Sequence, residues 1–313
     1  MVRGFRYVNT IDCFDGQHPH VMCPPETAHE PFTSIEDINN YLLEHKDAVD
    51  HVRSVSGRRP MAVFLMFDER TEALCEELGI DLCFPPAALR NEIDDTINTT
   101  RIADRAGVQS VPHVLARVGS YSKLREVAGH LGPDLVIQAA YGDSGHTTFF
   151  VSSESDYAKC AAEVALAPEV KVMKKIRGRG SAQEACVTRH GTIVGPLMTE
   201  LVGFPELTPY RGGWCGNELL YDSFDNDTRE RARAMTVAFG EELRKMGYRG
   251  YFELEYLRDL DTNELYLGEV NPRITGASAM TNLAAFAHAD APLFLFHLLE
   301  FSGLDHRSGQ PAS

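Results

Sequence analysis

The chain has 313 residues, of which 43% are hydrophobic and 24% are charged. These proportions are typical of a packed globular protein and exclude wholesale disorder. Acidic residues outnumber basic ones, and the formal net charge is −15. This balance argues against nucleic acid or an anionic membrane as a partner. A bound anion must therefore be held by a local cluster of positive groups.

The cysteines and the apolar runs indicate the compartment. Seven cysteines occur without a CxxC pair, which favours free thiols in a reducing compartment over disulfides or a zinc site. The amino terminus lacks the apolar core of a signal peptide. The most apolar runs, 61–67 and 291–301, are shorter than the roughly 20 residues that cross a bilayer. We therefore expect a cytoplasmic protein with no membrane partner.

The first third of the chain alternates between helix and strand patterns. Ser34 is the predicted cap of a helix that is expected to break near Lys46. The apolar run 61–67 predicts a buried parallel strand. Asp68 can cap the helix that follows, and a second strand is expected over 80–84. This alternation predicts an open parallel sheet.

After a helix that ends at Gly107, the pattern changes to short strands interrupted by helices. Helices are predicted near 121–131 and 154–166, and a longer one from about 227 to 246. The predicted strands cover 111–117, 135–140, 147–151, 170–176, 182–188, 251–257 and 265–270.

Polar side chains alternate along the last predicted strand. Glu269, Asn271 and Arg273 are spaced two residues apart, so a strand places them on one face. Glu255, on the preceding strand, can lie beside Glu269 across a hairpin. Two carboxylates and an amide oxygen are hard ligands that suit Mg²⁺, and Arg273 could meet a phosphoryl or carboxylate oxygen. The alternative is a solvated hairpin with alternating polar side chains.

Two further segments could bind phosphate. The loop after Gln138 contains Gly142, Gly145 and several hydroxyls, and such a loop can place backbone N–H groups around phosphate oxygens. A glycine-containing hairpin is the simpler interpretation, and the loop is not of the GxxxxGK[ST] type. The segment 171–180 has five positive charges and no acid. It could neutralise a triphosphate or an acidic substrate, or it could be a solvated strand edge.

Taken together in chain order, the glycine-containing loop after Gln138, the basic segment 171–180 and the polar hairpin resemble the ATP-grasp superfamily. The resemblance is closest to its biotin-carboxylase-like, carboxylate–amine ligase branch. The resemblance covers roughly residues 60–300 and is strongest at 250–276, GYFELEYLRDLDTNELYLGEVNPRITG. It implies an α/β ATP-grasp fold. The implied domains are a shortened pre-grasp parallel-sheet domain at 1–108, a small lid subdomain at 109–178 and a larger mixed subdomain with the metal site at 179–313.

The resemblance also implies a role for individual residues. Glu255, Glu269 and Asn271 would hold magnesium. Arg273 and Glu184 would be catalytic residues, with Arg273 beside the reacting phosphate and Glu184 at an acidic position near the substrate. The implied ATP-binding positions are Gln138, Gly142, Ser144, Gly145, His146, Thr147, Lys174, Lys175 and Ile176.

Two positions depart from the family pattern. The family usually has a lysine near the start of the helix around 96 and another on the strand before the glycine-rich loop, where this chain has Thr96 and Gln138. Each charge-assisted hydrogen bond is worth roughly 1.5–3 kcal/mol. The two missing cations would therefore weaken ATP binding unless His146, Lys174 or Lys175 substitutes for them.

The substrate pocket is assigned to a glycine-rich segment at 208–217. Arg211 could bind a carboxylate and Trp214 could form a wall of the pocket. The alternative is a tight turn in which Trp214 fills the core.

The implied function is a ligase that uses ATP and Mg²⁺ to activate a carboxylate as an acyl phosphate and then joins it to an amine. Its substrates would be small-molecule carboxylates and amines, with amino acids among the candidates, and a homodimer is left open. One alternative is a non-catalytic nucleotide-binding or scaffold protein, which Thr96 and Gln138 favour. Another is a biotin-carboxylase-type enzyme, for which no carrier-protein lysine motif is found.

Overall fold

The computed structural model describes residues 22, 24, 31–56, 59–140, 148–209, 213–220, 222–287 and 291–304. The chain divides into two compact units after Ala87. The subdomain boundaries at 108 and 178 stay predictions that rest on the resemblance.

The described residues of the first unit form three helices and a short parallel sheet. Its elements in chain order are α1 (Ile35–Glu44), α2 (Lys46–Val55), β1 (Met61–Ala62), α3 (Glu69–Leu78) and β2 (Asp81–Leu82). Strand β1 pairs with β2 in parallel, so the predicted β-α-β unit is confirmed. The strand predicted over 61–67 is too long, because only its first two residues pair. Phe67 is the one buried side chain of that run, whereas Met61 and Leu65 are exposed.

Local side-chain chemistry sets the ends of these helices. The Ser34 hydroxyl accepts a hydrogen bond from the Asp37 amide at 3.1 Å, as expected of a cap. Asp68 caps α3 in the same way, by accepting from the Thr71 amide at 2.7 Å. Gly79 ends α3 with φ 70°, a conformation that glycine adopts without strain.

The helix predicted before Gly107 is two helices. These are α4 (Ala87–Asp94) and α5 (Thr96–Ala106). The break occurs at Asp95, whose side chain accepts a hydrogen bond from the Asn98 amide at 2.8 Å and so caps α5.

A four-stranded antiparallel sheet follows, in the order β3-β6-β4-β5. Val170 and Val172, on one of the two inner strands, are buried in the core formed with the adjacent helices, so Lys171 and Met173 lie on the opposite face. The strands and helices of this region are β3 (His113–Ala116), α6 (Tyr121–Ala128), β4 (Leu135–Gln138), β5 (Thr148–Val151), α7 (Glu154–Leu166) and β6 (Val170–Lys174).

A five-stranded antiparallel sheet completes the second unit, in the order β11-β10-β7-β8-β9. Phe239 of the long helix and Phe252 of the sheet are fully buried in a shared core. The elements are β7 (Gly178–Thr188), β8 (Gly191–Val202), β9 (Trp214–Glu218), α8 (Asn226–Lys245), β10 (Gly250–Asp259), β11 (Leu265–Asn271), α9 (Ser278–Ala287) and α10 (Leu293–Phe301). The sequence patterns did not predict β8, β9, α9 or α10.

Two observations concern the apolar helices and the cysteines. No helix in the described ranges is both long enough and apolar enough to cross a bilayer. The five cysteines in the described part of the chain are free, and only Cys215 is not fully buried.

Candidate active site

A cleft of about 850 Å³ opens on the five-stranded sheet, bordered by β7, β8, β9, β10, β11 and the segment that follows β11. Four glutamates, two arginines and two aromatic side chains contribute to its lining. The polar and aromatic residues that line it include Arg179, Thr199, Glu200, Phe204, Trp214, Asn217, Glu253, Glu255, Glu269, Asn271, Arg273 and Thr275.

The β10–β11 hairpin brings the predicted metal ligands together. Glu255 lies directly opposite Glu269, and Glu253 lies directly opposite Asn271. The ladder shifts between Glu255 and Tyr256, and such a bulge re-aims the side chains beside it. The face is not uniformly solvated, as a simple polar hairpin would be, because Asn271 is buried and Glu255 is partly buried, whereas Glu269 is exposed.

Asn271 and Arg273 link the carboxylates by hydrogen bonds. Asn271 Nδ2 donates to Glu255 Oε1 at 2.8 Å and to Glu253 Oε1 at 3.2 Å. Arg273 Nη2 donates to Asn271 Oδ1 at 2.8 Å. The Nε of Arg273 is buried and has no hydrogen-bond partner within the described residues. An unpaired guanidinium donor in a cleft is suited to an anionic ligand.

Burial, and then mutual repulsion, raises the pKa of the carboxyl groups in the cleft. Burial, reinforced by Glu184 and Glu255, raises the pKa of Glu253 to about 8. Burial and the neighbouring carboxylates also raise the pKa of Glu200 and of Glu269. Glu269 is exposed to the cleft, although protein surrounds it on most sides. A divalent cation at this position would replace the bound protons and relieve the repulsion.

Glu184 lies behind the cleft and does not line it. The side chain has no exposed surface and accepts hydrogen bonds from Tyr251 at 2.8 Å and from Ser278. The Thr275 hydroxyl lies 3.0 Å from Glu184 Oε1 and 3.1 Å from Glu253 Oε2. One hydroxyl has a single proton to donate, so the two carboxyl groups compete for it, and burial together with Glu184 and Glu255 raises the pKa of Glu253.

The predicted adenine-binding segment lies at the end of β6. The amides of Lys174 and Lys175 are already engaged, since they donate to the carbonyls of Pro112 and Asp134 at 2.9 and 3.1 Å. Ile176 packs against an apolar cluster that contains Val111, Val136, Met173, Leu257 and Tyr266.

The phosphate-binding positions are described only in part. Gln138 ends β4, and its Nε2 lies 3.4 Å from Thr148 Oγ1. Its Oε1 is buried without a hydrogen-bond partner among the residues described. Thr96 begins α5, and its amide donates to the Ala140 carbonyl at 2.8 Å. The loop residues Gly142, Ser144, Gly145, His146 and Thr147 lie outside the described residues.

Trp214 lies in the wall of the cleft. Its side chain is 51% exposed, so the alternative that it fills the core is wrong. The indole N–H donates to Asn217 Oδ1 at 2.8 Å. The ring packs on Gly276, where an added Cβ would lie 2.7 Å from a ring carbon. Arg211 lies outside the described residues.

Other cleft residues were not selected from the sequence. Glu253 precedes Glu255 by two residues, so strand alternation alone could have identified it. Glu200 and Asn217 lie on β8 and β9, strands that the sequence patterns did not predict. Over the described ranges no group of three or more His, Cys, Asp or Glu side chains could hold a metal ion. The predicted metal set therefore depends on two carboxylates and one amide.

Solved structures share this architecture. The biotin carboxylase domain of a Hydrogenobacter thermophilus 2-oxoglutarate carboxylase, a dimer complexed with MgADP, ADP and bicarbonate, aligns with a TM-score of 0.65 and 18% identity. The alignment covers 85% of this chain and 58% of that one. D-alanyl-alanine synthetase A from Vibrio cholerae aligns with a TM-score of 0.57 and 14% identity, over 74% of this chain and 70% of that one.

An N5-carboxyaminoimidazole synthetase from Staphylococcus aureus complexed with ADP aligns with a TM-score of 0.56 and 14% identity, over 83% of this chain and 65% of that one. These proteins are ATP-grasp enzymes, and the chain has the ATP-grasp fold that the resemblance predicts. It spans 58–70% of the length of these three structures. No family model and no curated protein sequence matches the chain.

Proposed function

We propose that this protein is an ATP- and Mg²⁺-dependent ligase that activates a substrate carboxylate as an acyl phosphate and joins it to an amine. The observation that supports this function best is the pairing of Glu255 with Glu269 beside Asn271 and Arg273 at one cleft. The fold adds support, because the similar solved structures include a ligase-type synthetase and nucleotide complexes.

The residues present fit Mg²⁺. Glu255 and Glu269 offer carboxylate oxygens, and Asn271 offers an amide oxygen now bonded to Arg273. Mg²⁺ prefers such hard ligands and completes its shell with water and phosphate oxygens. When bound, the ion would neutralise charge on the phosphates and orient them. Burial, and then the neighbouring carboxylates of Glu255 and Asp94, raise the pKa of Glu269, so a cation at this corner of the cleft would stabilise its ionised form.

In the first step, an oxygen of the substrate carboxylate attacks the γ-phosphorus of ATP. The bond from that phosphorus to the β,γ-bridging oxygen breaks, and ADP leaves with the electron pair. Arg273 donates hydrogen bonds to the transferring phosphoryl group, using the Nε that lacks a partner among the residues described. The acyl phosphate forms within the cleft, where enclosure slows its hydrolysis.

In the second step, the amine attacks the acyl carbon and inorganic phosphate leaves. The amine loses a proton, which a carboxylate of the cleft or a water molecule accepts. We assign substrate contacts to Trp214 and Arg211. We assign ATP contacts to Lys174–Ile176 and to the loop at 142–147. Glu184, behind the cleft, would position Glu253. Trp214 offers a planar apolar surface beside the polar lining, which suits a substrate that has both a charged and an apolar part.

The test is release of ADP and phosphate from MgATP with pools of amino acids and amines. Release is expected only with the correct acid, and product is expected only when the amine is also present. Glu269→Ala is expected to abolish turnover. Glu264→Ala is the matched control, because Glu264 is an exposed carboxylate in the turn of the same hairpin. Equal activity in both variants would contradict the proposed metal site.

A second candidate is a protein that binds the nucleotide without turnover. The observation that favours it is the presence of Thr96 and Gln138 where the family usually has lysines. Calorimetry with MgATP separates the two candidates, since binding without ADP release in any substrate pool would favour the second. A biotin-carboxylase-type activity is tested by transfer of radiolabelled bicarbonate to free biotin.

A further inference from the structure

Lys171 is a buried cation at the centre of the four-stranded sheet. Its side chain is 1% exposed, and it lies on β6, between β3 and β4. Lysine is almost never fully buried unless it is paired. Within the described part of the chain, no hydrogen bond or ion pair satisfies its ammonium group. Burial lowers the pKa of Lys171 to about 8, and the acidic groups that oppose this shift are Glu269 and Asp104.

The surroundings of Lys171 explain where its ammonium could act. Because Val170 and Val172 point into the core beneath the helices, Lys171 lies on the face that Met173 shares with Tyr266 of β11. Glu269 lies on the same strand, β11. The lysine therefore lies between the two sheets, on the side of the predicted metal ligands.

Gln138 is the partner of Lys171 in the ladder between β4 and β6. Paired residues on neighbouring strands lie on the same face, with their Cβ atoms about 4.5–5.5 Å apart. Gln138 also has a buried oxygen without a hydrogen-bond partner among the residues that the structure describes. Two adjacent polar side chains on this face thus have unmet hydrogen-bonding capacity, as expected of a site that a polar ligand completes.

We propose, on the basis of the ligase function given above, that Lys171 binds the phosphate oxygens of the nucleotide and supplies the cation that position 138 lacks. A desolvated ammonium interacts with a phosphate far more strongly than a solvated one. Lys174, at the end of the same strand, is exposed, so its charge is screened by water. Lys171 on β6 would thus supply the positive charge that the family usually has on β4, the adjacent strand of the same sheet.

A purely structural role for Lys171 predicts a different result. An unpaired buried ammonium destabilises the folded chain, because its desolvation is not compensated. If Lys171 serves ligand binding, its replacement by methionine should stabilise the free protein and weaken nucleotide binding. If it serves folding, the same replacement should lower the Tm of the free protein.

The experiment is calorimetry of the full chain with MgADP, MgATP and adenosine. Lys171→Met is expected to weaken MgADP on the order of 10- to 100-fold, which is the loss of one charge-assisted hydrogen bond. Adenosine, which has no phosphate, should bind as it does to the unchanged protein. Lys159→Met is the matched control, because Lys159 is an exposed lysine on α7 and its loss removes the same charge.

Moving the charge gives an independent check. In the double variant Lys171→Met, Gln138→Lys, the ammonium returns to the same face from the paired position, and MgADP affinity should recover to within a few-fold of the original. Lys171→Gln is made alongside, because its amide keeps a polar group on that face if the methionine variant folds poorly. It should weaken MgADP to a similar extent.

The outcomes distinguish this inference from the function on which it rests. If the unchanged protein binds MgADP but Lys171→Met and Lys171→Gln bind it equally well, the role of Lys171 is overturned and nucleotide binding stands. A loss of adenosine binding equal to the loss of MgADP binding also overturns it, since the effect is then not on phosphate. If the unchanged protein binds neither MgADP nor MgATP, the proposed ligase is overturned first.

Discussion

Glu255 and Glu269 lie directly opposite each other across the β10–β11 hairpin. Like charges at directly opposed positions destabilise a sheet, and Glu200 and Glu253 add two further carboxyl groups to the same cleft. The structure reduces the repulsion by raising the pKa of these groups and through hydrogen bonds from Asn271. A bound cation would reduce it further.

The first prediction concerns the pH dependence of stability. The pKa of Glu253 and of Glu269 is raised above the ordinary value of 4.5. Between that value and about 8, the folded chain thus holds protons that the unfolded chain has released. Stability is therefore fully present below about pH 4.5 and is lost as the pH rises toward 8. We expect the Tm of the metal-free protein to fall by several degrees between pH 5 and pH 8.

Glu269→Gln tests this interpretation, because it removes one of the repelling charges. The variant should have a smaller slope of Tm against pH, whereas Glu264→Gln in the exposed turn should keep the original slope. Mg²⁺ should raise the Tm of the unchanged protein more at pH 8 than at pH 5, since protons compete with the ion. A slope that is identical in all three proteins would contradict the assignment.

The second prediction concerns Arg273. Its guanidinium contacts Asn271 and lines the cleft, and we assign it to the transferring phosphoryl group. Arg273→Met should lower kcat by roughly 10²–10³-fold, as removal of one transition-state donor does, with a smaller effect on MgADP affinity. Steady-state kinetics with the identified substrates and calorimetry with MgADP measure the two effects.

Arg258→Met is the control for Arg273→Met. Arg258 lies on β10 but hydrogen-bonds Asn263 and Asp225 and does not line the cleft. The kcat of the Arg258→Met variant should stay within a few-fold of that of the unchanged protein. Equal losses of kcat in both variants would indicate a general effect on the sheet and would remove Arg273 from the reaction.

The hairpin could be predicted from the sequence because its pattern is local. Carboxylate, amide and guanidinium side chains recur at every second residue, and the polar turn at 261–264 separates the two strands. β8 contains Gly195 and Pro196 within its span, and β9 contains Gly216 with φ 139°. These residues interrupt the usual strand pattern, so Glu200 on β8 was not found.

Lys171 shows a different limit of sequence reasoning. The basic segment 171–180 suggests one uniform cluster, yet strand alternation separates a buried Lys171 from an exposed Lys174. The pairing of Lys171 with Gln138 joins residues far apart in the chain. Only the register of the sheet provides that relationship.

The third prediction concerns the contact between Trp214 and Gly276. A Cβ at position 276 would lie 2.7 Å from the indole ring, so Gly276→Ala must displace Trp214 from the cleft wall. We expect a change of KM for the carboxylate or amine substrate, with MgADP affinity unchanged. Gly119→Ala is the control, because nothing lies within 4 Å of a Cβ there. A loss of MgADP binding in Gly276→Ala would place Trp214 at the nucleotide and not at the substrate.

The fourth prediction follows from the lowered pKa of Lys171, about 8. Above that pH the folded chain loses the ammonium proton, whereas the unfolded chain keeps it up to the ordinary value of 10.5. The buried ammonium therefore destabilises the fold fully below pH 8, and this destabilisation is lost as the pH rises from 8 to 10.5. The rise in Tm that Lys171→Met produces should be larger at pH 7 than at pH 10.

The same pKa predicts a pH dependence of binding. MgADP affinity of the unchanged protein should fall as the pH rises through 8, and this fall should be smaller in Lys171→Met than in Lys159→Met. If Lys159→Met and Lys171→Met show the same fall, another group governs it and the ammonium of Lys171 does not contact phosphate.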